Sequence, residues 1–231
     1  MSISPGRRLA RAPRGEPSVA KARTSERAPR AARLRKQEQI LSESERQFAR
    51  FGFEGVSLDG IATELGISRQ NLLYYFSSKE DLYDAVLESV LKSWLEGMDV
   101  MARADDPEAA ISGYIRAKLR FSQERPSGSA VFTREIMAGV PRYAEQLAKR
   151  VIPHLRSDIR TFEKWARQGL IERVDFTHLM FVIWSATQAY ADLAPQFALL
   201  LGKAQLEDDD FEAAHALITK IVMRSLRKAS R

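Results

Sequence analysis

Residues 56–80, VSLDGIATELGISRQNLLYYFSSKE, constrain this chain more than any other stretch. Ser57 stands where a helix N-cap belongs. Leu58, Ile61, Ala62 and Leu65 follow at i, i+3, i+4, i+7, one apolar face of a helix. Gly66 suits the left-handed turn that ends such a helix. Ser68 then caps a second short helix, Arg69 to Phe76, in which Leu72, Leu73 and Phe76 are available to pack inward. Its first turn carries Arg69, Gln70 and Asn71, three long hydrogen-bonding side chains. Two short helices with a tight Gly-containing turn, the second exposing Arg, Gln and Asn, are how a helix-turn-helix offers a reading edge to the major groove. Arg suits guanine O6/N7, and Gln or Asn suits adenine N6/N7. Gly-containing helix pairs are also common in all-α proteins without DNA, so spacing alone leaves both readings open.

The longer run FARFGFEGVSLDGIATELGISRQNLLYYFSSKEDLYDAVL, 48–87, preceded by Ile40, resembles the N-terminal domain of TetR-family transcriptional regulators. The aromatic-glycine turn Phe51-Gly52-Phe53, the Ile61-Ala62 pair, Gly66-Ile67-Ser68, the Tyr74-Tyr75-Phe76 triplet and Lys79-Glu80 all fall in register. The resemblance implies a double-stranded operator as partner and places Tyr74 and Lys79 against phosphate. Ser57 and Tyr75 complete the expected DNA-contacting set with Arg69, Gln70 and Asn71.

At 231 residues the chain can hold a small head and a larger core. It has no cysteine, which excludes a disulfide framework and thiolate metal sites. His154, His178 and His215 show no ligand spacing, so no metal or cofactor is expected. No apolar stretch reaches the 18 or so residues of a membrane span, and the charged N-terminus lacks the hydrophobic region of a secretory signal. The expected place is the cytoplasm, on the nucleoid.

The net charge of +6 is unevenly placed. Residues 1–36 hold eleven Lys or Arg against Glu16 and Glu26, a balance of +9 that leaves −3 for the rest. Pro5, Pro13, Pro17 and Pro29 and the lack of apolar periodicity suggest a disordered basic arm over 1–32. Such an arm can lie along phosphates or in the minor groove beside the reading head; the plainer alternative is a solvated tail.

From there the pattern reads as helix after helix. The first helix is expected from about Arg33 to Phe51, with Ile40, Leu41, Ser44, Phe48 and Phe51 inward. Ser78 caps a long helix, with Asp81 at the capping-box position, and Leu82, Val86, Val90, Trp94 and Met98 continue along it. Further helices are expected at about 107–124, 128–138, 141–152, 153–169, 175–200 and 209–228. Gly169 and Gly202 act as stops and the prolines as boundaries. Nothing alternates with a period of two for long enough to make a strand. The expected fold is all-α: a three-helix head at 33–80 and a larger helical ligand-binding and dimerisation domain at 81–231.

The segment FVIWSATQAYAD, 181–192, is the most informative part of the second domain. At 100° per residue, Trp184, Thr187, Gln188, Ala191 and Asp192 share one face with Met180. Phe176, Leu179, Ile183, Ala186, Tyr190, Leu193 and Phe197 share the other. A face of aromatic and hydrogen-bonding residues must have its polar groups satisfied, either by a small polar ring or by another helix. Gln188 offers a donor and an acceptor, and Trp184 can stack on a ring.

The second domain also resembles TetR-family members that regulate pyrimidine utilisation. The matching residues are Tyr83, Val86, Leu87 and Trp94-Leu95; Ala110-Ile111, Tyr114-Ile115 and Lys118-Leu119; Phe132 with Glu135; AGVP at 138–141; and Ile183-Trp184, Thr187-Gln188 and Tyr190-Ala191-Asp192. The resemblance implies a pocket for uracil or a related pyrimidine, carried by Trp94, Phe132, Trp184, Thr187, Gln188 and Tyr190, although the helical wheel puts Tyr190 on the opposite face. Ala130 and Ala189 stand where the resemblance leads one to expect Arg and His, so the effector can differ on the same scaffold. Trp94 and Phe132 can equally be core aromatics.

A two-fold DNA site needs two reading helices about 34 Å apart, hence a homodimer, for which 175–200 and 209–228 offer long apolar faces. Catalysis is not expected: there is no GxGxxG or P-loop, and Glu135 and Asp192 are lone carboxylates. The rival function is a non-specific architectural DNA-binding protein, which would bind all sequences alike.

Overall fold

The computed structural model describes residues 1, 19–97, 101 and 105–228. They divide into two compact units, Met1–Glu38 and Gln39–Arg231. Among the described residues every regular element is helical, as the periodicities require, and no helix is long and apolar enough to cross a membrane.

Residues 2–18 of the expected disordered arm lie outside the described residues. From Val19 onward the expectation is corrected, because α1 spans Val19–Gly55 instead of starting near Arg33. The run from Val19 is rich in Ala, Arg, Lys and Glu, which lose little freedom in a helix, and Pro29 does not end it. At its other end Gly52 takes φ 72°, a left-handed backbone that breaks the helical register. That break corrects Phe51, which is 52% exposed. Phe53 takes its place, stacked on Phe48 and tilted against Tyr83 at centroid distances of 6.2 and 5.0 Å.

The head continues with α2 (Leu58–Glu64) and α3 (Arg69–Tyr75). Ile61 and Leu72 are fully buried between them and Phe76 closes the core below. α4 (Lys79–Glu96) leaves the head with Leu82, Val86, Leu87, Val90 and Leu91 buried along its length. Ser78 Oγ accepts from Asp81 N at 3.0 Å, while Asp81 reaches back to the N–H of Ser77, one residue beyond the usual capping-box partner.

The larger region holds α5 (Pro107–Glu124), α6 (Pro126–Met137), α7 (Ala144–Gln146), α8 (Ile152–Arg167), α9 (Phe176–Asp192), α10 (Ala194–Leu200) and α11 (Asp208–Ser225). Two expectations change here. The helix expected over 141–152 is a short α7 that runs into a π-helical turn at Leu147–Val151, and Pro153 stands in the first turn of α8, where its missing N–H costs nothing. The helix expected over 175–200 is broken at Leu193, where Pro195 enters the first turn of α10. α5 packs chiefly on α9 and α11, and α6 lies between α4 and α9. Tyr114, Phe162 and Trp165 are among the fully buried side chains of this core.

Candidate DNA-reading head and effector cavity

The two helices of the head are each fixed by a serine. Ser57 Oγ accepts from Gly60 N at 3.0 Å and Ser68 Oγ accepts from Asn71 N at 3.1 Å. Ser57 thus acts as a cap, with its side chain engaged in the fold. Gly66 has φ +62°, so the turn between α2 and α3 needs a residue free to adopt left-handed geometry. Arg69, Gln70 and Asn71 are all exposed on the first turn of α3. Arg69 is drawn sideways by Asp59 at 2.8 Å, an open pair worth about 0–1 kcal/mol that a guanine edge can displace. Tyr74 is 66% exposed and meets Tyr75 edge-on at 5.2 Å. Lys79 lies over the Phe53 ring at 4.4 Å, half-buried, its stem on the core and its charge at the rim. Leu73 does not pack inward as expected; it is 37% exposed, one residue off the buried stripe of a helix whose register Leu72 and Phe76 set.

A second site lies between α4, α5, α6 and α9. Its wall includes Trp94, Lys118, Phe121, Ser129, Phe132 and Gln188. Trp94 meets Phe132 at 6.0 Å and Trp184 edge-on at 5.3 Å, so the expected aromatics converge. Trp184 Nε1 donates to Tyr114 Oη at 2.6 Å, which fixes its ring. Burial pushes the Tyr114 hydroxyl up, and the Asp158 charge adds to this, so Tyr114 stays neutral and can accept. The free space is small, about 10 Å³, room for about one water molecule.

The polar face of α9 is largely satisfied by α6. Asp192 accepts from Ser129 Oγ at 2.9 Å, Thr133 Oγ1 at 2.8 Å and Gln188 Nε2 at 3.1 Å. Gln188 Nε2 also donates to Thr133 at 2.6 Å. The helix-to-helix alternative is therefore realised for the amide nitrogen, while Gln188 Oε1 accepts from no donor among the described residues. Three expected pocket residues do not line the cavity, and of these Trp184 packs edge-on against Trp94, which does. Thr187 is fully buried, with its hydroxyl bonded to the Ile183 and Trp184 carbonyls on its own helix. Tyr190 packs against Phe197 and Phe211, on the far side that the helical wheel indicates.

Lys118 is the cavity residue that the expected set omits. It sits on α5 with its Nζ 3.8 Å from the centre of the Trp94 ring, and it is 4% exposed. Burial pushes its amine well below the ordinary lysine range. The pattern held a signal, because Ile111, Tyr114, Ile115, Lys118, Leu119 and Ser122 form one i, i+3, i+4, i+7 stripe and all are buried.

The cavity wall is tied to the head by charge. At the joint of α5 and α6, Arg125 pairs with the nearly buried Glu45 of α1 and bonds Ser89 and Ser93 of α4. Arg134, two residues beyond Phe132, donates to the Ala49 carbonyl at 3.0 Å. Glu135, also on α6, accepts from Tyr83 of α4 and from the backbone N–H groups of Arg142 and Tyr143.

Comparison with known proteins agrees with this geometry. Residues 40–86 match the model described as bacterial regulatory proteins, tetR family, and residues 87–229 match that of the YcdC-like protein, C-terminal region. The chain is 36% identical to the HTH-type transcriptional regulator RutR of Escherichia coli strain K12, over 83% of this chain and 91% of that one. In fold it is similar to the ketosteroid transcriptional regulator KstR2 of Mycobacterium tuberculosis, with a TM-score of 0.69 at 16% identity over 84% of this chain and 96% of that one. It is likewise similar to the TetR family regulator PfmR of Thermus thermophilus, with a TM-score of 0.65 at 20% identity over 82% and 96%.

Proposed function

The chain belongs to the TetR family and is a DNA-binding transcriptional regulator, and on that footing we propose that it is a homodimeric repressor whose operator affinity is set by a small pyrimidine-like effector. Residues 33–80 serve as the reading head and 81–231 as the effector-binding and dimerisation domain. Arg69, Gln70 and Asn71 read base edges, while Tyr74, Tyr75 and Lys79 with the Ser57 cap hold the backbone of the duplex. The effector site uses Trp94, Phe132, Trp184 and Gln188.

The observation that carries this reading is that head and cavity share their helices. α4 starts at Lys79 beside α3 and places Trp94 in the cavity wall about 22 Å further along. α6 carries Phe132 in that wall and Arg134 on the last turns of α1. A ligand that shifts α4 or α6 on entering the cavity moves the head with it, and a differential affinity of about 1–3 kcal/mol changes DNA binding about 5- to 150-fold. Support for the dimer comes from the apolar surface of the last helices, where Leu199, Leu200, Leu201, Leu217 and Ile221 are all at least 55% exposed.

The test is a titration of uracil and thymine followed by tryptophan fluorescence and operator affinity together. Of the three tryptophans, Trp94 lines the cavity and Trp184 packs against it, so binding should change the emission. If neither compound moves either signal at millimolar concentration, the pyrimidine assignment is wrong and another effector must be sought. Equal affinity for all DNA sequences would instead favour the architectural reading.

A further inference from the structure

A lysine buried beside tryptophan with no acid to pair with costs stability unless something offsets it. Among the described residues Lys118 makes no hydrogen bond or ion pair; its polar head meets only the Trp94 ring beneath its Nζ. Its polar neighbours are already engaged. Asp192 accepts from Ser129, Thr133 and Gln188, Ser122 Oγ donates to the Thr187 carbonyl at 3.0 Å, and Trp184 Nε1 donates to Tyr114. Two polar functions remain unused in the wall: the Lys118 amine, which can donate, and Gln188 Oε1, an acceptor only.

We infer that Lys118 is the polar anchor of the effector site, which takes a planar ring presenting an acceptor oxygen to Lys118 and a neighbouring N–H to Gln188. The inference rests on the effector reading above and narrows it to a cyclic imide or lactam. In the empty site Lys118 covers the face of Trp94 on which such a ring would stack, so entry requires the lysine to swing aside. Its loss of the ring is offset by a hydrogen bond to the incoming oxygen, which favours the protonated amine that burial alone disfavours. A ring that brings an amino group to this position sets donor against donor, so the imide edge of 1-methyluracil is accepted and the edge of 1-methylcytosine, which has an amino group and no ring N–H, is refused. Discrimination of this kind is large because the mismatched ligand leaves buried polar groups unpaired.

Calorimetric titration of uracil, 1-methyluracil, 1-methylcytosine and benzoate into the wild type and Lys118→Met decides the matter, with melting temperature as the check that the variant folds. The expected result is that 1-methyluracil outbinds 1-methylcytosine by at least about tenfold in the wild type, one decade of affinity, and that Lys118→Met erases most of that preference. Uracil binding that Lys118→Met leaves within about twofold overturns the anchor while the effector reading stands. If uracil does not bind the wild type, the pyrimidine reading fails and benzoate, which has the oxygen but no N–H, decides Lys118 alone. Benzoate binding abolished in Lys118→Met keeps the anchor, and benzoate binding retained or absent overturns it.

Discussion

Arg125 donates through Nε to the carboxylate of Glu45 at 3.0 Å, joining the start of α6 to the first helix of the reading head. The side chains are 24% and 9% exposed, so the pair is shielded from water. Arg125→Met leaves Glu45 nearly buried without its partner. The expected cost is about 2–4 kcal/mol of unfolding free energy, and adding Glu45→Met should recover much of it. Denaturant melts of the four proteins in the cycle measure this. Because the pair bridges cavity wall and head, the double variant should also respond less to effector in operator binding.

The head makes a separate prediction. Asn71 is exposed, with its backbone N–H held by Ser68 and its amide free of the cap. Asn71→Ala should cost about 1–3 kcal/mol on operator DNA and little on random DNA. Truncating Tyr74 or Lys79 should weaken both alike. Equal losses on the two DNAs for Asn71→Ala would remove it from the base-reading set.

The N-terminal charge can be tested without touching any described helix. Deleting residues 2–18 removes Arg7, Arg8, Arg11 and Arg14. For every phosphate that these arginines neutralise, the slope of log affinity against log salt should become shallower by about 0.9 on their removal. An unchanged slope would make this stretch a solvated tail.

Lys118 gives a pH signature. Its native value is depressed, so between that value and the ordinary 10.5 the unfolded chain binds the extra proton. Stability should therefore rise with pH through that window, and Lys118→Met should flatten the rise while lifting stability below it. Urea melts from neutral pH to pH 10 read both effects. A wild type and variant with parallel profiles would show Lys118 charged and solvated in the native protein.

The apolar surface of α11 bears on assembly. Leu217 and Ile221 are 57% and 55% exposed, one turn apart. Leu217→Glu should shift the chain to monomer in sedimentation and weaken operator binding with it, since each half-site then binds without the advantage of a linked neighbour. A variant that remains dimeric would place the interface elsewhere.

Much of the head was legible because it is made of local rules. Ser57, Ser68 and Ser78 cap where their spacing says, and Gly66 turns where only a left-handed backbone fits. Phe51 and Leu73 were misplaced by a helical wheel that assumes regular winding up to the last residue. Gly52 breaks that winding, and the seven-residue α3 has room for only a narrow buried stripe. The cavity was legible in its aromatics, Trp94, Phe132 and Trp184, because large rings at helical spacing must converge on something. Thr187 and Gln188 were harder, since a hydroxyl can satisfy itself on its own helix and an amide can bond across to α6; sequence does not show which partner wins. Lys118 escaped because a lysine normally marks the wet side of a helix, and only its place in the stripe from Ile111 to Ser122 says otherwise.

The most direct measurement is fluorescence anisotropy of DNA selected by this protein from a random pool, set against a scrambled duplex, with and without millimolar uracil. The expected result is a preference for selected DNA of at least about a thousandfold and a uracil-dependent change in that affinity of at least about fivefold. Equal binding to both duplexes, or a selected-site affinity that uracil leaves unmoved, would contradict a ligand-responsive reader of sequence.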